Sequence, residues 1–395
     1  MTLPRKELFH LPEGVIYLDG NSLGPLPRGV EARVAQVISA EWGGQLIKGW
    51  NQCGWMAQPS EVGDKVGRLI GAPAGSVVIG DTLSLKVFQA LCAGLNMRPE
   101  RKVILSDTGN FPSDLYMADG LARLKGQGYA LKTVAPEDVA GAIDETVAVV
   151  MLTQVDYRTG RMHDMSAVTK IAQDAGAVML WDLAHSAGAV EVQIVASACE
   201  LAVGCTYKYL NGGPGAPAFI YVRPDLADSI DPALAGWLGH ENPFAFEANY
   251  RPAPGIDRMR VGTPPVLQVA ALDAALSVWD GVEMADVRAA SMRLSDLFIS
   301  EVEGRCPALT LNSPRDATQR GSQVSFSFEN GYAAMQALIA RGVIGDFRAP
   351  DVMRFGFTPL YIDEGDVVAA VGILADILDN RLWDHPDYKT TSRVT

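Results

Sequence analysis

The sequence predicts an α/β fold, a mostly parallel sheet flanked by helices, followed by a smaller C-terminal α+β domain. Two observations carry this expectation. Between residues 61 and 222, short segments dense in Val, Ile, Leu and Met alternate with helical ones. They show little polar alternation, as strands buried on both faces between helical crossovers do. A Pro- and Gly-rich stretch from Pro252 to Pro265 then gives way to helices separated by single short apolar runs, which marks a change of architecture.

The elements follow in order. Val15-Ile-Tyr-Leu-Asp-Gly-Asn21 reads as a short strand and a turn-rich arm, entering a helix near Arg28. Strands are expected at 76–79, 103–106, 147–153, 178–181, 201–204 and 218–222, with helices at 84–95, 112–126 and 166–175 between them. A helix at 266–279 leads to a boundary near Asp280-Gly281. Beyond it, helices at 284–303, 331–341 and 364–381 alternate with strands at 324–328 and 352–356. The expected division is 1–45, an N-terminal arm and helix packing with the small domain; 46–280, a large domain that binds the cofactor; and 281–395, the small domain.

A chain of 395 residues holds about two domains. With 48% hydrophobic and 20% charged residues it has the balance of a soluble enzyme. Its net charge of -13 argues against nucleic acid and anionic membrane surfaces as partners. An anionic ligand must therefore be held by local basic groups and helix ends. The five cysteines are scattered and form no Cys-x-x-Cys pair, so reduced thiols and a cytoplasmic address are expected. Neither a signal peptide nor a membrane-spanning run is expected. The five histidines are dispersed, so no metal site is expected.

Four motifs carry chemistry. Asp182 and Lys208 sit at the ends of successive expected strands, in Asp182-Leu-Ala-His185 and Cys205-Thr-Tyr-Lys208, with a Gly-Gly-Pro-Gly turn after the lysine. Alone, each reads as a helix cap or a surface charge; together they suit pyridoxal phosphate (PLP). A lysine amine captures the cofactor aldehyde, and a carboxylate holds a proton on the ring nitrogen. Asp81-Thr-Leu-Ser84 opens a helix after a strand, where Leu83 and Ser84 would offer N–H and hydroxyl groups to a phosphate; a plain helix cap reads equally well. Phe111, in Asn110-Phe-Pro-Ser-Asp114, could stack on a ring, although such a residue is more often core. Arg354 lies inside an apolar strand, where a guanidinium needs a partner. The candidates are a substrate carboxylate or an internal pair with Asp346 or Asp351.

These residues, with Gly20-Asn-Ser-Leu-Gly24, Gly236-Trp-Leu-Gly-His240, Gly262-Thr-Pro-Pro265 and Arg354-Phe-Gly-Phe-Thr-Pro-Leu-Tyr361, resemble the kynureninase family. This is a PLP-dependent fold-type I family of the class V aminotransferase superfamily, and the resemblance runs over nearly the whole chain. It implies a seven-stranded, mostly parallel large-domain sheet, Lys208 as the cofactor-linked lysine and Asp182 as the partner of the ring nitrogen. It places Leu83, Ser84, Phe111, Asp114, Thr153, His185 and Tyr207 around PLP. It implies a homodimer in which Trp237 and Thr263 reach the cofactor of the neighbouring subunit, and it gives Arg354 the substrate carboxylate. Trp50, in Ile47-Lys-Gly-Trp50, and Thr263 would sense the aryl ring and favour L-kynurenine over 3-hydroxykynurenine. Leu238 departs from the family, which has an aromatic residue there. The implied reaction is hydrolysis of L-kynurenine to anthranilate and L-alanine, in tryptophan degradation and NAD biosynthesis, with Tyr207 relaying a proton.

The alternatives are another class V enzyme, such as a cysteine desulfurase or aminotransferase, and a catalytically silent PLP-fold binding protein. A desulfurase needs a mobile cysteine, and neither Cys199 nor Cys306 stands in a Gly/Ser-rich loop. A silent protein should lack Lys208 or Asp182. A nucleotide dehydrogenase would show Gly-x-Gly-x-x-Gly after an early strand, and none follows here.

Overall fold

The computed structural model describes residues 3–390. Its central sheet contains β1 (Val77–Ile79), β2 (Val103–Asp107), β3 (Ala130–Val134), β4 (Val147–Thr153), β5 (Val178–Asp182), β6 (Leu201–Gly204) and β7 (Phe219–Val222). The spatial order is β1-β7-β6-β5-β4-β2-β3. From β6 to β3 all neighbours are parallel, while β7 is antiparallel to both β1 and β6. Every residue of β4, β5 and β6 is buried, which explains their unbroken apolar runs.

Two features depart from the sequence reading. Strand β3 was not expected. It is an edge strand, largely exposed, that carries Lys132 and Thr133 instead of an apolar run. The reversal of β7 was also invisible, because a fully buried strand reads the same in either direction.

The α-helices longer than four residues are α1 (Val30–Gln36), α2 (Gln58–Ile70), α3 (Leu83–Met97), α4 (Pro112–Lys125), α5 (Met165–Asp174), α6 (Val266–Ala275), α7 (Met284–Arg305), α8 (Gly331–Ala340) and α9 (Glu364–Asp379). Asp363 and Asp366 form a reciprocal capping box that starts α9. A second, antiparallel sheet orders β8 (Thr310–Leu311), β9 (Gln323–Ser327), β10 (Asp346–Arg348) and β11 (Val352–Gly356) as β8-β9-β11-β10. Strand β11 matches the expected 352–356, whereas β8 and β10, two and three residues long, are too short to leave a pattern.

The N-terminal arm ties the two sheets together. Ile16 and Tyr17 pair in parallel with Val343 and Ile344, and α1 packs on α6. One apolar cluster runs from Trp181 and Trp279 to Phe298 and Phe326, so both sheets share a core. A second cluster joins α3 to the sheet through Val87, Leu91, Ile104 and Leu180. Burying each such side chain contributes about 1.5–3 kcal/mol. The shared core fixes the edge where the carboxyl ends of β4, β5 and β6 open.

Candidate active site

Thr153 and Asp182 end β4 and β5 and are paired neighbours in the ladder. Lys208 follows β6 in a turn closed by Gly212 N–H donating to Thr206 O at 2.8 Å. The Thr206 hydroxyl donates to Pro217 O at 2.7 Å. From the other side, Gly24 N–H donates to Tyr207 O at 2.8 Å. A Cβ at Gly24 would lie 2.4 Å from both Lys208 O and Asn211 Oδ1, so only glycine lets the arm rest on the lysine turn.

Lys208 Nζ lies 2.9 Å from His185 Nε2 and 5.9 Å from the centre of the Phe111 ring. Burial, reinforced by the charge of Lys208, holds His185 well below the usual histidine range. Its imidazole is therefore neutral. Asp182 Oδ1 accepts from Ala184 N–H at 2.8 Å, and Asp182 Oδ2 lies 3.4 Å from Thr153 Oγ1. Thr153 Oγ1 also donates to Asn110 Oδ1. Asp114 hydrogen-bonds Asp182 and has an Oδ2 with no partner.

Burial raises the pKa of Asp182, against the opposing pull of Lys208. Asp114 stands well above the usual range, first through burial and then through the charge of Asp182. Both carboxyls are thus pushed toward their protonated forms, Asp114 more strongly than Asp182. Two buried carboxyl groups in this state suit a cation as a further partner.

Phe111 is 41% exposed, so its ring is free to cover a ligand. Behind it, α3 and α4 begin side by side, with Ser84 Oγ 3.1 Å from Ser113 Oγ. Neither Thr82 nor Phe111, the residues that precede these helices, caps its helix with a side chain. The first-turn N–H groups, Leu83 and Ser84 among them, remain available to an anion. Lysine, aromatic face, acidic pair and converging helix starts together fit a phosphorylated pyridine aldehyde.

Arg354 has an internal carboxylate partner. Its Nε donates to Asp346 Oδ1 at 2.8 Å, and its Nη2 pairs with Asp346 Oδ2. Nη2 also donates to Ser22 Oγ at 2.9 Å, and Nη1 donates to Tyr157 O. The internal pair offered as an alternative from sequence is thus formed, with Asp346 rather than Asp351. Tyr207 is partly buried, and its phenol is pushed up, first by Cys205 beside it and then by burial.

Trp50 and Trp237 lie together, and Thr263 lines a separate cavity. The Trp50 ring packs edge-on against Trp55 and Trp237, and Trp237 against Phe244. Thr263 lines a small cavity with Asp81 and Lys86, beside the turn that enters α3. Sequence reasoning had not assigned Tyr157 or Gln323. Tyr157 meets Phe111 edge-on, with ring centres 5.2 Å apart. Its signal was the loop Gln154-Val-Asp-Tyr-Arg-Thr-Gly160 directly after a buried strand. Gln323 gave none, because it reaches the site only through the second sheet, and Asp346 was offered only as a partner for Arg354. Among the described residues, no cluster of His, Cys, Asp or Glu could hold a metal ion, and no helix is long and apolar enough to cross a membrane.

The comparisons with known proteins agree along the chain. The family described as Kynureninase C-terminal domain matches residues 287–374. A kynureninase of Pseudomonas fluorescens is 50% identical over 399 aligned residues, covering 99% of this chain and 96% of that protein. Among solved structures, the apo cysteine desulfurase of Thermococcus onnurineus NA1 has a TM-score of 0.80 at 18% identity, covering 96% of this chain and 99% of that one. A C-DES mutant with glycine covalently linked to its PLP cofactor has a TM-score of 0.81 at 18% identity, covering 94% and 99%.

Proposed function

The chain belongs to the kynureninase family, and from that premise we propose a role for each residue of its lysine pocket. It is a PLP-dependent hydrolase of fold type I that cleaves the Cβ–Cγ bond of L-kynurenine, giving anthranilate and L-alanine. PLP supplies an aldehyde that captures amino groups and a ring that accepts electron pairs from bonds at the substrate Cα.

Lys208 anchors the cofactor and takes the proton from the substrate Cα. Asp182, backed by Asp114, holds the proton on the ring nitrogen. Phe111 covers the ring, Thr153 and His185 line it, and the α3 start at Leu83 and Ser84 receives the phosphate. Arg354 orients the substrate carboxylate. Its Nε and Nη2 are held by Asp346, which fixes the guanidinium plane. Tyr207, held protonated by its surroundings, donates a proton as water adds to the γ-carbonyl.

The observation that carries this reading is the Lys208 amine between His185 Nε2 and the Phe111 face, beside the Asp114–Asp182 pair. A desulfurase is disfavoured because Cys92, Cys199, Cys205 and Cys306 are all buried, and burial pushes Cys306 up to about 11.

The finer readings extend this proposal. Residues 1–45, 46–280 and 281–395 are taken as arm, large domain and small domain. The enzyme acts as a cytoplasmic homodimer, with Trp237 and Thr263 reaching the partner's PLP. Trp50 and Thr263 favour L-kynurenine over 3-hydroxykynurenine, and the product serves tryptophan breakdown and NAD biosynthesis. The exposed Trp42, Leu46, Ile47, Trp237, Phe244 and Phe246 support the dimer, because an apolar patch of this kind marks an interface.

The test is anthranilate fluorescence after PLP-loaded protein is mixed with L-kynurenine, with 3-hydroxykynurenine and Lys208→Ala alongside. Anthranilate release that vanishes in the variant is the expected result. PLP uptake without aryl product from either substrate would leave the fold and remove the reaction.

A further inference from the structure

Gln323 lies on β9 in the second sheet, fully buried, far in sequence from Lys208. Its Nε2 donates to Tyr157 O at 2.9 Å and Asp156 O at 3.1 Å, which fixes the orientation of the amide. Oε1 must then point the other way, and no other group satisfies it. His185 Nδ1 is likewise buried and without a hydrogen-bond partner, and Gln323 is among the groups that act on the His185 ring. On the opposite side of the ring, Nε2 faces the Lys208 amine at 2.9 Å.

A neutral imidazole has one donor nitrogen and one acceptor, and the partner of one nitrogen decides the role of the other. Lys208 can only donate while its amine is protonated, so Nε2 accepts. The ring proton must then sit on Nδ1, and Gln323 Oε1, buried and without a donor of its own, is the acceptor left for it. The charged groups acting on the ring are Lys208, Arg354 and Arg348, all positive, so none offers Nδ1–H an alternative acceptor.

We propose that Gln323 is a positioning residue that locks His185 as its Nδ1–H tautomer, so that the Nε2 lone pair faces the Lys208 amine. This rests on the role given to Lys208 above. It also links the sheets, because the Tyr157 carbonyl that anchors Gln323 accepts from Arg354 as well. Arg354 and Gln323, both on the second sheet, thus share one carbonyl on the loop that follows β4. Gly160 permits that support. It has φ +74, and a Cβ there would meet Gln323 O at 2.7 Å.

The experiment is nitrogen-15 correlation spectroscopy of the histidine rings in full-length protein, with PLP bound and after its removal. The His185 signals are assigned by their loss in His185→Gln. Wild type should show the proton on Nδ1 and a bare Nε2. Gln323→Met, which removes the acceptor at similar length, should lose that preference, and its kcat should fall about tenfold with KM changed less. Gln323→Glu keeps an acceptor and should keep the proton on Nδ1. A wild-type proton on Nε2, or an unchanged Nδ1–H signal in Gln323→Met, would overturn the proposal. If Gln323→Met does not fold, the wild-type and Gln323→Glu spectra still decide. Absent anthranilate release with Nδ1–H intact would sink the reaction assignment and leave the Gln323 inference standing.

Discussion

Asp114 is the residue at which stability and function oppose each other most directly. Its pKa is raised in the fold, first by burial and then by Asp182. A carboxyl whose folded pKa exceeds its unfolded value adds stability at low pH, and that stability is lost as pH rises toward and through the folded pKa. Between the two values the cofactor-free protein should lose about 1.4 kcal/mol per pH unit from this group alone, and above the folded value the loss is complete. Asp114→Asn keeps the shape and removes the charge. We expect its cofactor-free form to hold its Tm as pH climbs above the ordinary carboxylate range, where wild type declines, and to bind PLP more weakly. Melting curves across pH, with a PLP titration, check both halves. A decline that persists in the variant would place the titrating group elsewhere. The sequence offered Asp114 only through a motif. Its pairing with Asp182 required α4 to begin where it does beside β5.

Among elements, the contact of the N-terminal arm with the lysine turn is the most sharply defined. A Cβ at Gly24 would meet Lys208 O and Asn211 Oδ1, both within the turn that carries the Lys208 amine. Neither can retreat without moving that turn, and overpacking of this kind costs about 1–3 kcal/mol. Gly24→Ala should lower Tm and weaken PLP retention together. Gly304 in α7 is the internal control. Nothing lies within 4 Å of its would-be Cβ, so Gly304→Ala should gain up to about 1 kcal/mol from helix propensity. Equal, neutral melting behaviour in both variants would mean that the arm does not bear on the lysine turn. The motif Gly20-Asn-Ser-Leu-Gly24 was legible as a resemblance, while its target was not. Elements with a long apolar signature, such as β4, β5 and β11, were read almost to the residue. Those whose pattern is set by an edge or by brevity, β3, β8 and β10, were missed for that reason.

At the scale of the whole molecule, the sequence pointed to the strand-end residues Thr153, Asp182 and Lys208 because open α/β sheets gather ligands at their carboxyl edge. The contribution of the second sheet came through single polar residues, Gln323, Asp346 and Arg354, of which only Arg354 stood out as a charge in an apolar run. The same asymmetry bears on the proposed dimer. Phe244 and Phe246 are 57% and 84% exposed, and edge-on ring contacts continue from them through Trp237 to Trp50. A monomer with net charge -13 gains nothing from leaving such rings in water. If this face is the interface that brings Trp237 and Thr263 to the partner's phosphate pocket, paired charges placed there should separate the subunits and weaken the cofactor in one step. The double variant Phe244→Glu/Phe246→Glu should elute as a monomer by light scattering at micromolar concentration. It should also release PLP more readily, while Lys208, Asp182 and His185 stay folded around an open pocket. A variant that remains a dimer with full PLP affinity would move the interface to another face. A monomer with full affinity would take Trp237 and Thr263 out of the cofactor site.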